Sequence, residues 1–349
     1  MSQVKAYAAE KADQPLGPFK LDRRVPGAND VEIEILYCGV CHSDIHTVRN
    51  EWGGTMYPVV PGHEIVGKVS RIGAEVTHHK VGDTVGVGCF VDSCGHCANC
   101  EDDLEQYCEN GHSQTYNSLL QDKITITYGG YSTHIVVTEK FVLKVSDKLP
   151  LEAVAPLLCA GITTYSPLKH WKVKKGDKVA VVGLGGLGHM AVKIASSMGA
   201  EVTMLSRSPE KLKDAEELGA HHFELTTEKE NMQKMANTFN LIIDTVSAKH
   251  DYNAYLALLK TNGVMVLLGV PPEPEAVHAA SLIFGRRSLV GSLVGGIKET
   301  QEMLDYCAEH NIVSDVEVIN IDQINEAFER TIKGDVHYRF VIDMASLKN

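Results

Sequence analysis

Lys178-Val-Ala-Val-Val182 followed by Gly183-Leu184-Gly185-Gly186-Leu187-Gly188 is the stretch that decides the fold. The sextet reads G-x-G-x-x-G, a pattern that by itself also arises in ordinary turns. Here it directly follows an apolar run and opens Gly186–Met198, whose apolar residues recur at helical spacing. Strand, glycine turn and helix in that order are the context a dinucleotide-binding loop requires. The glycines allow a tight turn and let a pyrophosphate approach backbone N–H groups. The helix N-terminus adds partial positive charge. A purely structural glycine turn is the alternative that this context disfavours.

Working outward, Val202–Leu205 reads as the next strand and Pro209–Leu218 as the next helix, with Pro209 suited to its first turn. Leu241–Asp244 and Val264–Leu268 read as further strands. Strands alternating with helices predict a doubly wound parallel sheet over residues 151–290. Residues 1–150 have another rhythm. Val31, Ile33, Ile35 and Tyr37 alternate with Glu32 and Glu34, as in a half-buried strand. Short strand-like runs follow at Glu64–Ile72, Asp83–Val87, Tyr131–Val137 and Phe141–Val145, which predicts a compact barrel-like domain. Gly111–Gly130 is a long polar insertion, within which Lys123–Thr127 is strand-like. Residues 291–349 add a helix at Lys298–His310 and a strand at Tyr338–Ile342, completing the first domain.

With 349 residues the chain is long enough for two separate cores. Its composition, 44% hydrophobic and 22% charged, is that of an ordinary globular protein. The net charge of -12 argues against a nucleic-acid partner. No apolar run approaches the length of a membrane span. Met1–Lys20 lacks a basic start followed by a hydrophobic stretch, so no signal peptide is expected. Nine cysteines, most of them explicable as metal ligands, fit a reducing cytoplasm.

Cys94, Cys97, Cys100 and Cys108 form Cys-x2-Cys-x2-Cys-x7-Cys. Four soft thiolates so close together suit one tetrahedral zinc ion. Iron–sulfur runs have other spacings, and disulfides would suit secretion, which nothing here suggests. A closed four-thiolate site is structural, because it leaves no position for a substrate. Chemistry needs a second, open site. Cys38-Gly-Val-Cys41-His42-Ser43-Asp44-Ile45-His46, Gly62-His63-Glu64 and the distant Cys159 supply candidate ligands. A Cys-His-Cys set would offset the charge of zinc with two thiolates. Spacing alone leaves each of these residues open to a plain core or surface role. Cys38, Cys89 and Cys307 read as small hydrophobes.

The end of the second strand bears on which dinucleotide binds. An NAD-selective site places an acid there to accept from the ribose 2′-hydroxyl. This chain offers Ser206-Arg207-Ser208 and then Lys211. Hydroxyls and cations would hold a 2′-phosphate that an acid would repel, which favours NADPH. The competing reading is a solvated helix start capped by Ser208.

Taken with the glycine loop and the cysteine lobe, Gly62-His63-Glu64-x2-Gly67-x5-Gly73-x2-Val76 resembles the zinc-dependent medium-chain alcohol dehydrogenases. The run Cys38–His46 and Tyr57-Pro58-x2-Pro61-Gly62-His63-Glu64 resemble the cinnamyl-alcohol-dehydrogenase subgroup, especially its bacterial NADPH-dependent aldehyde reductases. The resemblance covers essentially the whole chain. It implies an α/β protein with a GroES-like β-barrel catalytic domain and a Rossmann-type cofactor domain. It implies two zinc ions per chain, one of them catalytic and held by Cys41, His63 and Cys159, with Glu64 behind it and Asp44 orienting His63. Ser43 would hydrogen-bond the substrate oxygen, and His46 would exchange the proton with solvent. Thr163, Thr245, Gly269, Ser292 and Val294 would contact the cofactor. Ser288–Val294 is a candidate for pairing across a homodimer, against the plainer reading of an interior strand.

Other features carry less. His337 stands where the subgroup often has arginine, with Arg339 close by; His78-His79 and His221-His222 read as surface residues; Trp52 reads as a pocket aromatic. A polyol dehydrogenase shares the fold but usually has an acid in place of Cys159. A zinc-free quinone reductase would lack the cysteine sets, and a non-enzymatic NADPH-binding redox sensor would need no complete proton path. The expected activity is reduction of an aldehyde of unspecified type to a primary alcohol.

Overall fold

A computed structural model of the chain describes residues 2–348. The chain divides into two compact units, residues 1–159 with 295–349, and residues 160–294. Both junctions fall a few residues C-terminal to the change of rhythm in the sequence.

The first unit starts with β1 (Ser2–Ala8) and β2 (Gly17–Arg23), an antiparallel pair. Its main sheet is built on β3 (Asp30–Gly39), β4 (Ile65–Ile72) and β5 (Thr84–Val87). Val31, Ile33 and Ile35 are fully buried, as their alternation predicts. The alternation fails at Tyr37: the pairing of β3 with β4 shifts register between Ile35 and Tyr37, and Cys38 is buried instead. An extra residue in one strand changes which side chains face inward. Two short strands near the cysteine lobe, β6 (Phe90–Asp92) and β7 (Ser113–Gln114), pair with each other. β8 (His134–Thr138) pairs with β3, and β9 (Leu143–Lys144) pairs with β5.

Two sequence expectations in this unit are corrected. Lys123–Thr127 is not a strand. Asp122 accepts hydrogen bonds from Ile124 N and Thr125 N, Lys123 has φ +61°, and only an isolated bridge joins Leu119 to Ile126. A local turn closed by an aspartate side chain outcompetes the strand propensity of Ile-Thr-Ile. His79 is buried, with Nε2 3.2 Å from Val142 O, whereas His78 is exposed.

The second unit holds β10 (Lys178–Val182), β11 (Glu201–Ser206), β12 (His222–Leu225), β13 (Phe239–Asp244), β14 (Leu259–Leu267) and β15 (Ser288–Gly291). They form one sheet in the order β12-β11-β10-β13-β14-β15, and every pair in it is parallel. Ala180, Leu205, Phe239, Ile242, Leu256 and Met265 belong to its buried core. The strand order reverses between β10 and β13, so the loop after β10 opens at the topological switch point of the sheet. The helix expected from Pro209 begins as a 3-10 turn, Pro209–Lys211, and continues as Leu212–Glu217.

The chain then returns to the first unit. The helix Ile297–His310 precedes β16 (Val316–Asn320) and β17 (Arg339–Asp343), and β17 pairs antiparallel with β3. That pairing sets Arg339 beside the residues described next.

Candidate functional site

The site starts at a helix terminus. Cys41 is the N-cap of the helix His42–Val48, and Asp44 is its third residue. Asp44 is fully buried, and its Oδ2 accepts from Cys41 N at 2.9 Å, satisfying a donor outside the first turn. Oδ1 of the same carboxylate accepts from Gly62 N and from His63 Nδ1, each at 3.1 Å. Tyr131 donates its hydroxyl to Oδ2 at 3.4 Å. One buried carboxylate thus starts the helix and fixes the ring of His63. With Nδ1 donating, Nε2 keeps the lone pair for a ligand.

Cys41, His63, Glu64 and Cys159 each offer a ligand atom, and these atoms all lie within 4.8 Å of one another. The sulfurs of Cys41 and Cys159 are 4.0 Å apart. Two thiolates on one tetrahedral zinc would sit ~3.8 Å apart, given a Zn–S bond of ~2.3 Å. The thiol of Cys41 is held well below its ordinary value, chiefly because Cys159 donates to it, and Cys159 is pushed correspondingly up. A divalent cation is the group that lets both ionise together. Glu64 is fully buried, and burial raises its pKa to about 7 although Arg339 pulls the other way. Arg339 pairs with Glu64 Oε1 and donates to Val40 O at 3.0 Å. Glu64 Oε2 is buried without a hydrogen-bond partner among the described residues. A buried acceptor left open beside two thiols and an imidazole fits a metal ion. Two thiolates balance a dication and Glu64 balances Arg339, while the Asp44 carboxylate is held by the donors Cys41 N, Gly62 N, His63 Nδ1 and the Tyr131 hydroxyl.

The second cluster is Cys94, Cys97, Cys100 and Cys108, whose sulfurs likewise lie within 4.8 Å of one another, and all nine cysteines are free of disulfides. Backbone N–H groups of Cys94 and Glu109 point at the sulfurs of Cys108 and Cys97, each at 3.4 Å, as thiolates require. The lobe is tied down by buried Glu105, which accepts from Ile297 N at 3.1 Å.

In the second unit, Gly183 has φ +87° and a side chain at Gly188 would come within 1.9 Å of Gly183 O. These two glycines permit the turn and the close helix. Leu184, Gly186 and Leu187 are half-buried, while Gly185 is exposed with open space around it. Thr245 donates its hydroxyl to Val182 O at 2.8 Å, bracing the loop from β13. A side chain at Gly269 would meet Val246 O at 2.3 Å. Thr163 is buried in the helix Ala160–His170. Ser292 and Val294 are half-buried just beyond β15, and Val294 has φ +47°. At the end of β11, Ser206 Oγ accepts from Ser208 N at 3.1 Å, Arg207 is exposed, and Lys211 lies 3.6 Å from the carboxylate of Asp214.

Comparison with known proteins adds a second line of support. Residues 27–147 match the alcohol dehydrogenase GroES-like domain, and residues 186–309 match the zinc-binding dehydrogenase domain. The chain is 57% identical to NADP-dependent alcohol dehydrogenase C 1 of Mycolicibacterium smegmatis over 100% of both chains. It is 53% identical to aldehyde reductase YahK of Escherichia coli over 99% of each. A cinnamyl alcohol dehydrogenase from Sorghum bicolor superposes with a TM-score of 0.96 at 46% identity, covering 99% of this chain and 98% of that one. This chain belongs to the zinc-binding alcohol dehydrogenase family.

Within this zinc-binding dehydrogenase one neighbour of the site, Glu51, was not legible in sequence. Glu51 pairs with His46 Nδ1, and the Trp52 ring lies 4.8 Å from that imidazole yet is 56% exposed. Ser43 Oγ is 3.7 Å from Cys41 Sγ. Cys89 is only half-buried, with Sγ 3.8 Å from Leu158 O, and its thiol bears on Cys159, so it is more than core filling. Cys38 and Cys307 are buried, as expected of small hydrophobes. A glutamate five residues after a histidine, next to a tryptophan, was the available signal for Glu51.

Proposed function

We propose that this protein is an NADP-dependent alcohol dehydrogenase that works mainly as an aldehyde reductase and holds two zinc ions per chain. The observation that carries the reading is the meeting of Cys41, His63 and Cys159 around the unpartnered Oε2 of Glu64. The overall change is aldehyde, NADPH and a proton going to primary alcohol and NADP⁺. When bound, zinc supplies Lewis-acid polarisation of the carbonyl and the nicotinamide supplies hydride.

Cys41, His63 and Cys159 would hold the catalytic metal, with Glu64 behind it, and Cys94, Cys97, Cys100 and Cys108 the structural one. Asp44 keeps the His63 ring in register through its 3.1 Å contact. Ser43 donates its hydroxyl hydrogen to the substrate oxygen and is itself resupplied through His46. Glu51 fixes the His46 ring by pairing with Nδ1, leaving Nε2 to exchange the proton with solvent. The glycine loop Gly183–Gly188 cradles the pyrophosphate, and Ser206, Arg207 and Lys211 hold the 2′-phosphate. Ser208 stands at the N-cap position of the turn beside them without a side-chain capping bond, and Thr163, Thr245, Gly269, Ser292 and Val294 line the nicotinamide half.

Among the described residues β15 pairs only with β14, and Leu293, Ile283 and Phe284 near it are 44%, 70% and 89% exposed. An unpaired edge flanked by apolar side chains supports a homodimer built on that strand. Nine free cysteines support a reducing, cytoplasmic setting. No helix among the described residues is long and apolar enough to cross a membrane.

The test is a panel of aromatic and aliphatic aldehydes with NADPH, followed by loss of the reduced-nicotinamide absorbance. Turnover with metal-replete protein, abolished by Cys159→Ala, is the expected result. No turnover with any aldehyde, or turnover that survives Cys159→Ala, overturns the reading.

A further inference from the structure

Arg23 ends β2, and its residue is only 8% exposed. Among the described residues the guanidinium meets no carboxylate. It donates to four oxygens of one segment: Nε to His134 O at 3.0 Å, Nη1 to Tyr128 O at 2.6 Å, and Nη2 to Gly129 O and Ser132 Oγ, both at 2.8 Å. Burial lowers its pKa to about 9, a large displacement for arginine. An unpaired buried cation is expensive, so what it holds in place must matter.

The segment it grips leans on the ligand loop. Gly129 N donates to Val60 O at 2.7 Å, Gly130 N to Gly62 O at 2.8 Å, and Tyr131 N to Pro61 O at 2.9 Å. Three consecutive amides thus pair with the three residues leading to His63. The approach is too close for side chains: one at Gly129 would lie 2.4 Å from Pro61 O and Gly62 O. The fully buried Tyr131 then passes its hydroxyl to Asp44, the carboxylate that holds His63. Arg23 therefore lies one peptide away from the backbone that carries His63 and Glu64, although it stands far from both in sequence.

We infer that Arg23 is a positioning residue for the catalytic metal site: its guanidinium fork fixes residues 128–134, and these set where His63 and Glu64 present their ligand atoms. This rests on the reading that Cys41, His63 and Cys159 hold a metal. A fork with donors on three nitrogens suits four converging oxygens as an ammonium does not. Groups bonded directly to a metal ligand typically change metal affinity about 10- to 100-fold; Arg23 acts one relay further out, through residues 129–131, so its effect falls at or below the lower end of that range.

The experiment follows zinc release from metal-replete protein on addition of 1,10-phenanthroline, counted per chain against time. Four variants accompany the unaltered protein: Arg23→Met, Arg23→Lys, Cys41→Ala, and Val137→Ala. The last is a buried change on the adjoining β8 that weakens packing without touching the fork. Release is compared at equal distance below each variant's unfolding midpoint, so general loss of stability cancels. Cys41→Ala reports on the metal site itself: if it keeps all the zinc, the cluster is not the metal site and the proposed function fails with the inference. If it loses the labile zinc, Arg23→Met should release that zinc faster than Val137→Ala, by up to about 10-fold, with Arg23→Lys in between. Turnover should then fall in kcat while KM for NADPH stays put. Release from Arg23→Met equal to that from Val137→Ala overturns the inference. If Arg23→Met does not fold, Arg23→Lys decides: release no faster than from the unaltered protein overturns it.

Discussion

At the scale of single residues, the acid missing after β11 makes a sharp prediction. Each charge-assisted hydrogen bond is worth roughly 1.5–3 kcal/mol, so two or three from Arg207, Lys211 and Ser206 give a preference for NADPH of at least about 100-fold in affinity. Ser206→Asp should shift preference toward NADH more than Arg207→Ala, because the new carboxylate repels the phosphate and accepts from the ribose. The carboxylate can also keep the bond from Ser208 N that Ser206 Oγ now accepts at 3.1 Å. Steady-state kinetics with both cofactors check this; similar kcat/KM values for the unaltered protein would remove the phosphate-binding role. A second prediction concerns His250, whose Nε2 is 2.8 Å from the carboxylate of Asp244. Burial lowers its pKa, but bonding to Asp244 outweighs that and leaves it raised above 6.5. A raised histidine stabilises fully below its unfolded value and loses that contribution as pH climbs through the folded one. The difference in urea midpoint between the unaltered protein and His250→Gln should be largest below pH 6.5 and shrink as the pH climbs through the raised folded-state value. A difference that grows with pH would contradict the pairing.

At the scale of elements, the turn between β10 and its helix depends on the absence of a side chain at Gly188. Gly188→Ala places a methyl 1.9 Å from Gly183 O, a backbone atom that cannot rotate away. The helix must shift, at a cost of about 1–3 kcal/mol, the usual range for overpacking. Thermal unfolding should register that loss, and NADPH affinity should fall with it if the same helix end takes the pyrophosphate as proposed. The cysteine lobe behaves differently from the ligand cluster of the first unit. It has short strands and little apolar core beyond Cys94, Cys97, Cys100 and Cys108 themselves. Cys97→Ala should therefore destabilise the folded protein, since structural zinc contributes directly to folding. Cys41→Ala should leave it folded and inactive. Unfolding curves and metal counts on the two variants separate the cases, and equal stability would contradict the division of roles.

For the whole molecule, the open edge at β15 gives the last prediction. Light scattering at micromolar concentration should report a dimer, and Gly291→Pro should yield monomer: Ser292 N bonds back to Leu267 O on β14 at 3.3 Å, so the N–H of Gly291, one residue before it, lies on the open edge, and proline removes that donor. A monomeric unaltered protein would set the dimer aside.

The glycine loop, the four-cysteine lobe and the alternation of strands with helices were legible because each depends on residues close in sequence: a turn needs its glycines in order, and a lobe needs its thiols within reach. The same holds for Cys41 and Asp44, which share one helix start. Cys159 stands in an apolar run that by itself reads as core, and only the fold brings its sulfur to 4.0 Å from Cys41. Tyr37 and Lys123–Thr127 were misread because a register shift and a side-chain turn override local pattern. Glu64 finds its partner at residue 339, and the ligand loop is braced by residues 129–131, which residue 23 holds in turn, all far apart in the chain. No spacing rule encodes such meetings. Buried charges find partners through the arrangement of strands, and that arrangement exists only once the sheet has formed.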